Sequence, residues 1–270
     1  MPKVCLDAGH YGKYNRSPGV PEYYESEMTW KLHLLLKKHL EARGIDVITT
    51  RSDQEKDLAL LSRGKKSKGC DLFLSIHSNA VGSKMNESVD YPVVYVPISG
   101  KGDEIGKRLA ECIAEVMGTK QKAQSKSKAG SNGDYYGVMR GAAAVGTVGL
   151  LAEHSFHTNT AAAKWLLDEN NLEKLAKAEA ECIASYLKGN AGEKIPAKAE
   201  KPLEGNSGAF PYVVRITAGA LNVRSGAGVQ FKINKVVKKG EAFTIVDERN
   251  GWGKLKSGSG WISLKYTEKV

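Results

Sequence analysis

The sequence predicts an α/β fold: a mixed, mostly parallel sheet flanked by helices, followed by a small all-β barrel. Three observations point there. In residues 1–188 short apolar, β-branched runs alternate with runs of helical periodicity, which is the pattern of a layered α/β domain. After residue 210 the pattern changes to short strands that Gly and Asn punctuate at close intervals. Between these regions lies a stretch rich in Ala, Gly, Pro, Lys and Glu with no apolar periodicity, which reads as a linker. The expected organisation is a domain at 1–188, a linker at 189–210 and a second domain at 211–270.

Val4–Leu6 is a short apolar run and the first candidate strand. Met28, Leu32, Leu35, Leu36 and Leu40 fall at helical spacing, and Gly44 follows as a stop. Ile45–Thr49 is β-branched and Leu72–Ile76 is apolar, so both read as strands, as does Val93–Val96. Asp103–Met117 places Ile105, Leu109, Ile113 and Val116 on one side of a helix. Gly118–Gly130 carries Lys120, Lys122, Lys126 and Lys128 among small polar residues and reads as a solvated loop, with a grip on an acidic polymer as the alternative. Val148–Ala152 is a strand and Ala161–Leu187 is helical. In the last segment Tyr212–Ile216, Leu221–Val223, Lys235–Val237, Ala242–Asp247, Trp252–Lys256 and Gly260–Ile262 are the strands of the barrel, whose length allows only a modest core and suits a binding module.

Composition narrows the function classes. The 270 residues are 41% hydrophobic and 26% charged, which fits a globular chain and excludes a mostly disordered one. No apolar run approaches the roughly 20 residues of a membrane helix. Cys5, Cys70, Cys112 and Cys182 form no CxxC pair, so neither a thiolate zinc knuckle nor a redox motif is supported, and all four read as small apolar side chains. The net charge of +10 is concentrated at the end: residues 211–270 hold 11 Lys and Arg against 4 Asp and Glu. Such a segment is drawn to polyanions, whether nucleic acid, acidic lipid or an anionic wall polymer. The start of the chain has no basic segment followed by an apolar stretch and a cleavage site, so synthesis in the cytoplasm without a signal peptide is expected.

Three candidate strands end in a residue able to bind a metal or move a proton. Val4–Gly9 delivers His10, Leu72–Ile76 delivers His77 and Val148–Ala152 delivers Glu153. Ligands of open α/β sheets bind beyond the carboxyl ends of the strands, so parallel strands would bring these side chains to one crevice. Glu25 stands just before the helix near Met28, where a carboxylate favours the helix dipole, and it could reach the same crevice. His10, Glu25 and His77 would then form a two-histidine, one-carboxylate set for Zn2+ with one position left for water. Glu153 would take the water's proton and pass it to a leaving amine. The plainer alternatives stay open: each histidine as a hydrogen-bonded structural residue, and Glu25 as an ordinary helix-start acid with Glu22 and Glu27 as competitors. His154 and His157 could support the site, touch substrate or lie on the surface. His33 and His39 read as structural. Asp7 and Asp71 could each orient a histidine's far nitrogen or serve strand starts and turns.

At these residues the sequence resembles the zinc-dependent N-acetylmuramoyl-L-alanine amidases of cell-wall hydrolases and phage endolysins. Leu6-Asp7-Ala8-Gly9-His10-Tyr11-Gly12 resembles the family's Asp-x-Gly-His-Gly-Gly, and Glu25-Ser26-Glu27-Met28 its Glu-Lys-Asp-Val helix start. Asp71–Asn79 resembles Ala-Asp-Leu-Phe-Ile-Ser-Ile-His-Ala-Asn, and Leu151–Asn159 resembles Val-Glu-x-Gly-Phe-x-Ser-Asn. Thr50-Arg51 matches its Thr-Arg, and Leu61-Ser62-Arg63 lies in the stretch that resembles its Leu-x-x-Arg. Tyr11 departs from the usual Gly, and His154-Ser155 stand where an apolar residue and Gly are common. The resemblance covers roughly 1–188 and implies that His10, Glu25 and His77 are the zinc ligands and Glu153 the catalytic carboxylate. Ala220–Gly226, Asn250–Leu255 and Gly260–Ile262 resemble bacterial SH3-like cell-wall-binding domains, in which Trp252 and Trp261 could meet ligand or fill the core.

The expectation is therefore a peptidoglycan hydrolase that cuts the amide between N-acetylmuramic acid and L-alanine through zinc-activated water. The C-terminal domain would hold it on the wall, and no nucleic-acid partner or membrane insertion is expected. Lack of a signal peptide suits a phage endolysin or a mother-cell autolysin, either acting on the wall after release. Alternatives are a zinc peptidase cutting stem or cross-bridge peptides, and a non-catalytic wall-binding protein.

Overall fold

The computed structural model describes residues 1–189, 210–228, 231–249 and 251–270. The chain divides into two compact units, Met1–Ala197 and Lys198–Val270. The linker expected at 189–210 lies outside the described residues apart from its two end positions.

The first unit runs β1 (Lys3–Ala8), α1 (Glu25–Glu41), β2 (Asp46–Thr49), α2 (Leu60–Lys65), β3 (Leu72–Asn79), β4 (Val93–Val96), α3 (Asp103–Met117), β5 (Gln124–Ser127), β6 (Ala129–Gly130), β7 (Gly133–Asp134), α4 (Gly137–Ala143), β8 (Val148–Phe156), α5 (Thr160–Leu167) and α6 (Glu169–Leu187). Six strands form one sheet in the order β2-β1-β3-β8-β4-β5. All neighbouring pairs are parallel except β4 against β8. The mixed, mostly parallel sheet is thus as expected, and its central strands are buried on both faces, as parallel strands covered by helices must be. One face packs Leu6, Leu74, Ile76 and Leu150 against Leu32 and Leu36 of α1, Ile105 and Leu109 of α3, and Leu175 and Ile183 of α6. The other packs Cys5, Phe73, Tyr95 and Leu151 against Val138, Met139 and Ala142 of α4. All four cysteines are free and buried, and burial pushes the thiols of Cys5 and Cys182 up to about 12.

Two expectations need correction. The stretch 118–130 is not simply a loop: Gln124–Ser127 is the edge strand β5, and Ala129–Gly130 pairs with Gly133–Asp134. Lysines and serines on an edge strand keep it from pairing with another chain, so the segment reads as solvated although its backbone is in the sheet. The helix expected over 161–187 breaks at Asp168, whose carboxylate accepts from the N–H groups of Asn170 and Asn171 and caps α6.

Two short helices, α2 and α4, carry no strong apolar periodicity and were not expected. They form because their backbones touch. A Cβ on Gly64 would lie 2.0 Å from the Val138 carbonyl oxygen, and one on Gly141 would lie 2.3 Å from that of Leu61. Only hydrogen fits at either place.

The second unit holds β9 (Tyr212–Ile216), β10 (Ala220–Arg224), β11 (Ile233–Lys238), β12 (Ala242–Arg249), β13 (Trp252–Leu255), β14 (Trp261–Ser263) and β15 (Thr267–Lys269). They form one antiparallel sheet in the order β11-β10-β14-β13-β12-β9-β15, and among the described residues no ladder joins its two edge strands. Val214, Ile216, Val223, Val237, Ile245, Leu255 and Ile262 make its core. Trp261 is buried at 8% exposure, whereas Trp252 is half-buried.

Glycine inside a helix normally gains stability when changed to alanine. Here Gly141→Ala forces α4 off α2, so urea unfolding of the full chain should show a loss of about 1–3 kcal/mol. A gain would mean that the two backbones are not in contact.

Candidate functional site

The carboxyl ends of β1, β3 and β8 meet the start of α1. Gly9 follows β1, and its N–H donates to the Ile76 carbonyl at 3.0 Å. A Cβ there would lie 2.5 Å from Cε1 of His77, so only glycine lets the two strands close with the imidazole between them. His10 follows with φ of 59°, a left-handed turn that aims its ring back over the sheet end. The turn is gripped from behind. Arg63 donates to the carbonyls of Ala8 and His10 at 3.0 and 3.1 Å, Arg51 donates to Ala8 at 2.8 Å, and the Thr29 hydroxyl donates to Gly9 at 2.8 Å. This is the work of the Thr-Arg and Leu-x-x-Arg segments.

Glu25 opens α1 at 1% exposure. The loop before it is pinned by Glu25 N–H donating to Asn15 O at 3.0 Å and by Ser26 Oγ donating to Gly12 O at 2.7 Å. Glu22 is exposed and Glu27 pairs with Lys13 at 3.9 Å, so neither competes for the crevice. Oε1 of Glu25 lies 2.9 Å from Nδ1 of His77, and Oε2 lies 3.2 Å from Nε2 of His10. The ligand atoms of His10, Glu25 and His77 all lie within 4.8 Å of one another. Burial opposes the Glu25 charge; protons on the two imidazole nitrogens facing it would offset this and hold its carboxyl well below the usual range.

The hydrogen bonds around this trio define which lone pairs face inward. Asp7 is fully buried and accepts from the hydroxyls of Thr50 at 2.5 Å and Ser75 at 2.8 Å. The Ser75 proton is thereby committed to Asp7, so its oxygen accepts from Nε2–H of His77 at 3.1 Å. With that nitrogen protonated, Nδ1 of His77 turns its lone pair toward Glu25. Asn15 Nδ2 donates to Oε2 of Glu25 at 2.7 Å and reaches Nε2 of His10 at 3.2 Å, which presents that ring nitrogen as an acceptor too. Two imidazole lone pairs thus converge on a buried carboxylate, and acceptors at such distances need a positive charge between them. A divalent cation meets both at once, and two nitrogens with one oxygen is a donor set suited to zinc. Asp7 therefore orients a histidine through Ser75, whereas Asp71 accepts from the Lys3 N–H at 2.7 Å and serves the strand start.

Glu153 stands opposite His77 in the β3–β8 pair, one strand spacing away. It is 8% exposed and its Oε2 has no hydrogen-bond partner. Burial and the Glu25 charge both raise its pKa well above that of an ordinary glutamate. An unpartnered buried carboxyl beside a crevice is costly for folding alone and suits a group that exchanges protons.

Beyond Glu153 the register slips by one residue, and Ser155 takes φ of 57°. The bulge turns His154 into the interior rather than to the surface. His154 is fully buried, its Nδ1 lies 2.9 Å from the His77 carbonyl and its Nε2 2.7 Å from Oε1 of Glu179 on α6. Burial disfavours the charged ring, but the Glu179 carboxylate outweighs it and raises the His154 pKa. His157 is also buried, with Nδ1 2.9 Å from Ser78 Oγ, which in turn accepts from Tyr23 at 2.7 Å. Neither is a surface residue. His33 contacts the Trp30 carbonyl and His39 pairs with Glu173 at 3.0 Å, both as structural groups. Tyr11 and Tyr14 are exposed at 41% and 51%, and Tyr14 stacks on the His10 ring at 4.9 Å.

A family model described as N-acetylmuramoyl-L-alanine amidase matches residues 4–185, and one described as a bacterial SH3 domain matches residues 219–268. N-acetylmuramoyl-L-alanine amidase CwlM of Bacillus licheniformis is 27% identical over 187 residues, 68% of each chain. Two solved structures share the fold. The catalytic domain of CwlV, an N-acetylmuramoyl-L-alanine amidase from Bacillus (Paenibacillus) polymyxa var. colistinus, has a TM-score of 0.59 at 22% identity, over 70% of this chain and 99% of that one. The CwlD amidase of Clostridioides difficile, solved in complex with the GerS lipoprotein, has a TM-score of 0.60 at 22% identity, over 70% and 99%. Since the first family model spans more than half of the sequence, the chain belongs to the N-acetylmuramoyl-L-alanine amidase family, whose members hydrolyse peptidoglycan.

Proposed function

We propose that the chain cleaves the N-acetylmuramoyl-L-alanine amide as a zinc enzyme, with His10, Glu25 and His77 holding the metal and Glu153 moving the proton. One observation carries this reading: two imidazole lone pairs and a buried carboxylate converge within 4.8 Å, next to an acid whose buried Oε2 has no partner. A bound zinc ion supplies Lewis acidity, polarising the scissile carbonyl and making water acidic enough to attack near neutral pH. The chain's own residues do the rest. Glu153 accepts the proton of the attacking water and returns it to the departing alanine nitrogen. Its buried setting keeps the carboxyl basic enough for both transfers, which a solvated glutamate would not be. Ser75 and Asp7 keep His77 in the tautomer that offers Nδ1, and Asn15 does the same for Nε2 of His10.

Residues 211–270, with their excess of 11 basic over 4 acidic side chains and their match to bacterial SH3 domains, keep the first unit on the wall. A second weak contact raises the effective concentration of the catalytic unit at an insoluble substrate. We place the protein among hydrolases made in the cytoplasm and acting on the wall after release, as an endolysin or autolysin. Among the described residues no helix is long and apolar enough to cross a membrane.

Digestion of purified cell walls tests the reaction. Newly exposed alanine amines, abolished by chelator and restored by zinc, are expected. New reducing sugars, amines of other residues, or full activity in chelator would overturn the proposal.

Three substitutions separate the roles. Glu153→Gln should keep stoichiometric zinc and lose at least about a hundredfold in kcat. His77→Ala should lose both zinc and turnover. Ser75→Ala should weaken zinc binding roughly 10- to 100-fold, since the orienting partner of His77 is gone. Metal titration with each purified variant reads this out. Wild-type turnover in Glu153→Gln would remove the proposed base.

A further inference from the structure

Lys126 of the edge strand faces the same side of the sheet as Glu153. Cross-strand partners share a face, and so do residues two apart. Glu153 pairs with Val93 on β4, and Val93 with Gln124 on β5; one step along, Leu151 pairs with Tyr95, and Tyr95 with Lys126. Lys126 is therefore displaced from Glu153 by two strands and two residues, about 12 Å by sheet spacing. The path between them is aromatic. Tyr95 and Tyr136 pack at 4.8 Å, Tyr136 and Tyr135 at 5.1 Å. Tyr95 stands two residues from Val93, the cross-strand partner of Glu153, so this cluster adjoins the proposed base.

Two ammonium groups cap the cluster. Lys126 Nζ lies 5.8 Å from the Tyr95 ring centroid, and Lys128 Nζ 3.7 Å from that of Tyr135. Both lysines are exposed. Lys126 Nζ donates to Gln124 Oε1 at 2.9 Å, and among the described residues neither lysine has a carboxylate partner. Their backbone is not loose: Lys126 lies in β5, and the Tyr135 N–H donates to the Lys128 carbonyl at 2.8 Å. On the opposite flank, near His10, Lys13 already pairs with Glu27.

The substrate has a matching asymmetry. On one side of its scissile amide lies an uncharged sugar, and on the other a peptide with carboxylates. An extended chain advances about 3.3–3.6 Å per residue, so the second to fourth stem residues fall at the distance of Lys126 from Glu153. We propose that the stem peptide leaves Glu153 over Tyr136 and Tyr135, the accessible members of the tyrosine cluster beside the buried Tyr95, with its carboxylates meeting Lys126 and Lys128. The inference rests on the amidase reading above, and it makes these lysines specificity determinants for acidic over amidated stems.

The test is binding to the full-length chain carrying Glu153→Gln, with the fragment recovered after each titration and checked to be uncleaved, so that affinity is read apart from turnover whatever the role of Glu153. Calorimetry compares a soluble N-acetylmuramoyl tetrapeptide with free peptide carboxylates and the same fragment with those carboxylates amidated. The parent should prefer the acidic fragment by roughly tenfold. Adding Lys126→Ala and Lys128→Ala should shrink the preference to within about twofold while leaving the amidated fragment's affinity in place, and Lys→Arg at both positions should restore it. No preference in the parent, a preference that survives the double alanine variant, or equal loss for both fragments would overturn the proposal.

Discussion

Everything in the first unit is arranged around one electrostatic problem, the buried Glu25 carboxylate between two imidazole lone pairs. A carboxylate at 1% exposure is costly unless positive charge or donors reach it. Asn15 and the Ser78 N–H supply two donors, at 2.7 and 3.0 Å, and His77 supplies none while its Nε2–H is committed to Ser75. The resulting cluster is a poor structural element and a good cation site. Its rigidity comes from backbone, since strand ends and a helix start place the three groups, not flexible loops.

The supporting residues show how the fold prevents that cluster from relaxing. If Gly9 carried a side chain, the His77 ring would be displaced. If Arg63 and Arg51 released the Ala8 and His10 carbonyls, the left-handed turn at His10 would have no reason to persist. The bulge after Glu153 has a second effect: by turning His154 inward to Glu179, it ties the His77 carbonyl to α6 through a buried pair. His77 and Glu153 thus sit on neighbouring strands clamped from both faces of the sheet.

Much of this was legible in the sequence because it is written in local patterns. The leucine spacing from Met28 to Leu40 and the run Asp103–Met117 each bury one face against the sheet, so periodicity finds them. The strands that end at His10, His77 and Glu153 bring those side chains together because parallel strands put their carboxyl ends at one edge. What stayed hidden depends on partners distant in sequence. α2 and α4 are defined by contact between Gly64 and Gly141, and glycine weakens the helical signal that betrays other helices. β5 hides because one lysine and two serines on a solvent-facing edge strand read like a loop. His154 could not be assigned because the carboxylate that buries it, Glu179, lies 25 residues later. The Asp7–Ser75–His77 relay is the intermediate case: its aspartate was a candidate, but the serine between them was not visible.

The central claim is that one divalent ion bridges Glu25 and both imidazoles. Anomalous diffraction at the zinc edge on crystals of the zinc-loaded full chain tests it directly. A single peak bonded to Nε2 of His10, Nδ1 of His77 and a Glu25 oxygen at about 2.0–2.2 Å is the predicted result. A peak elsewhere, or a zinc ion that leaves the Glu25 carboxylate uncoordinated, would contradict the account.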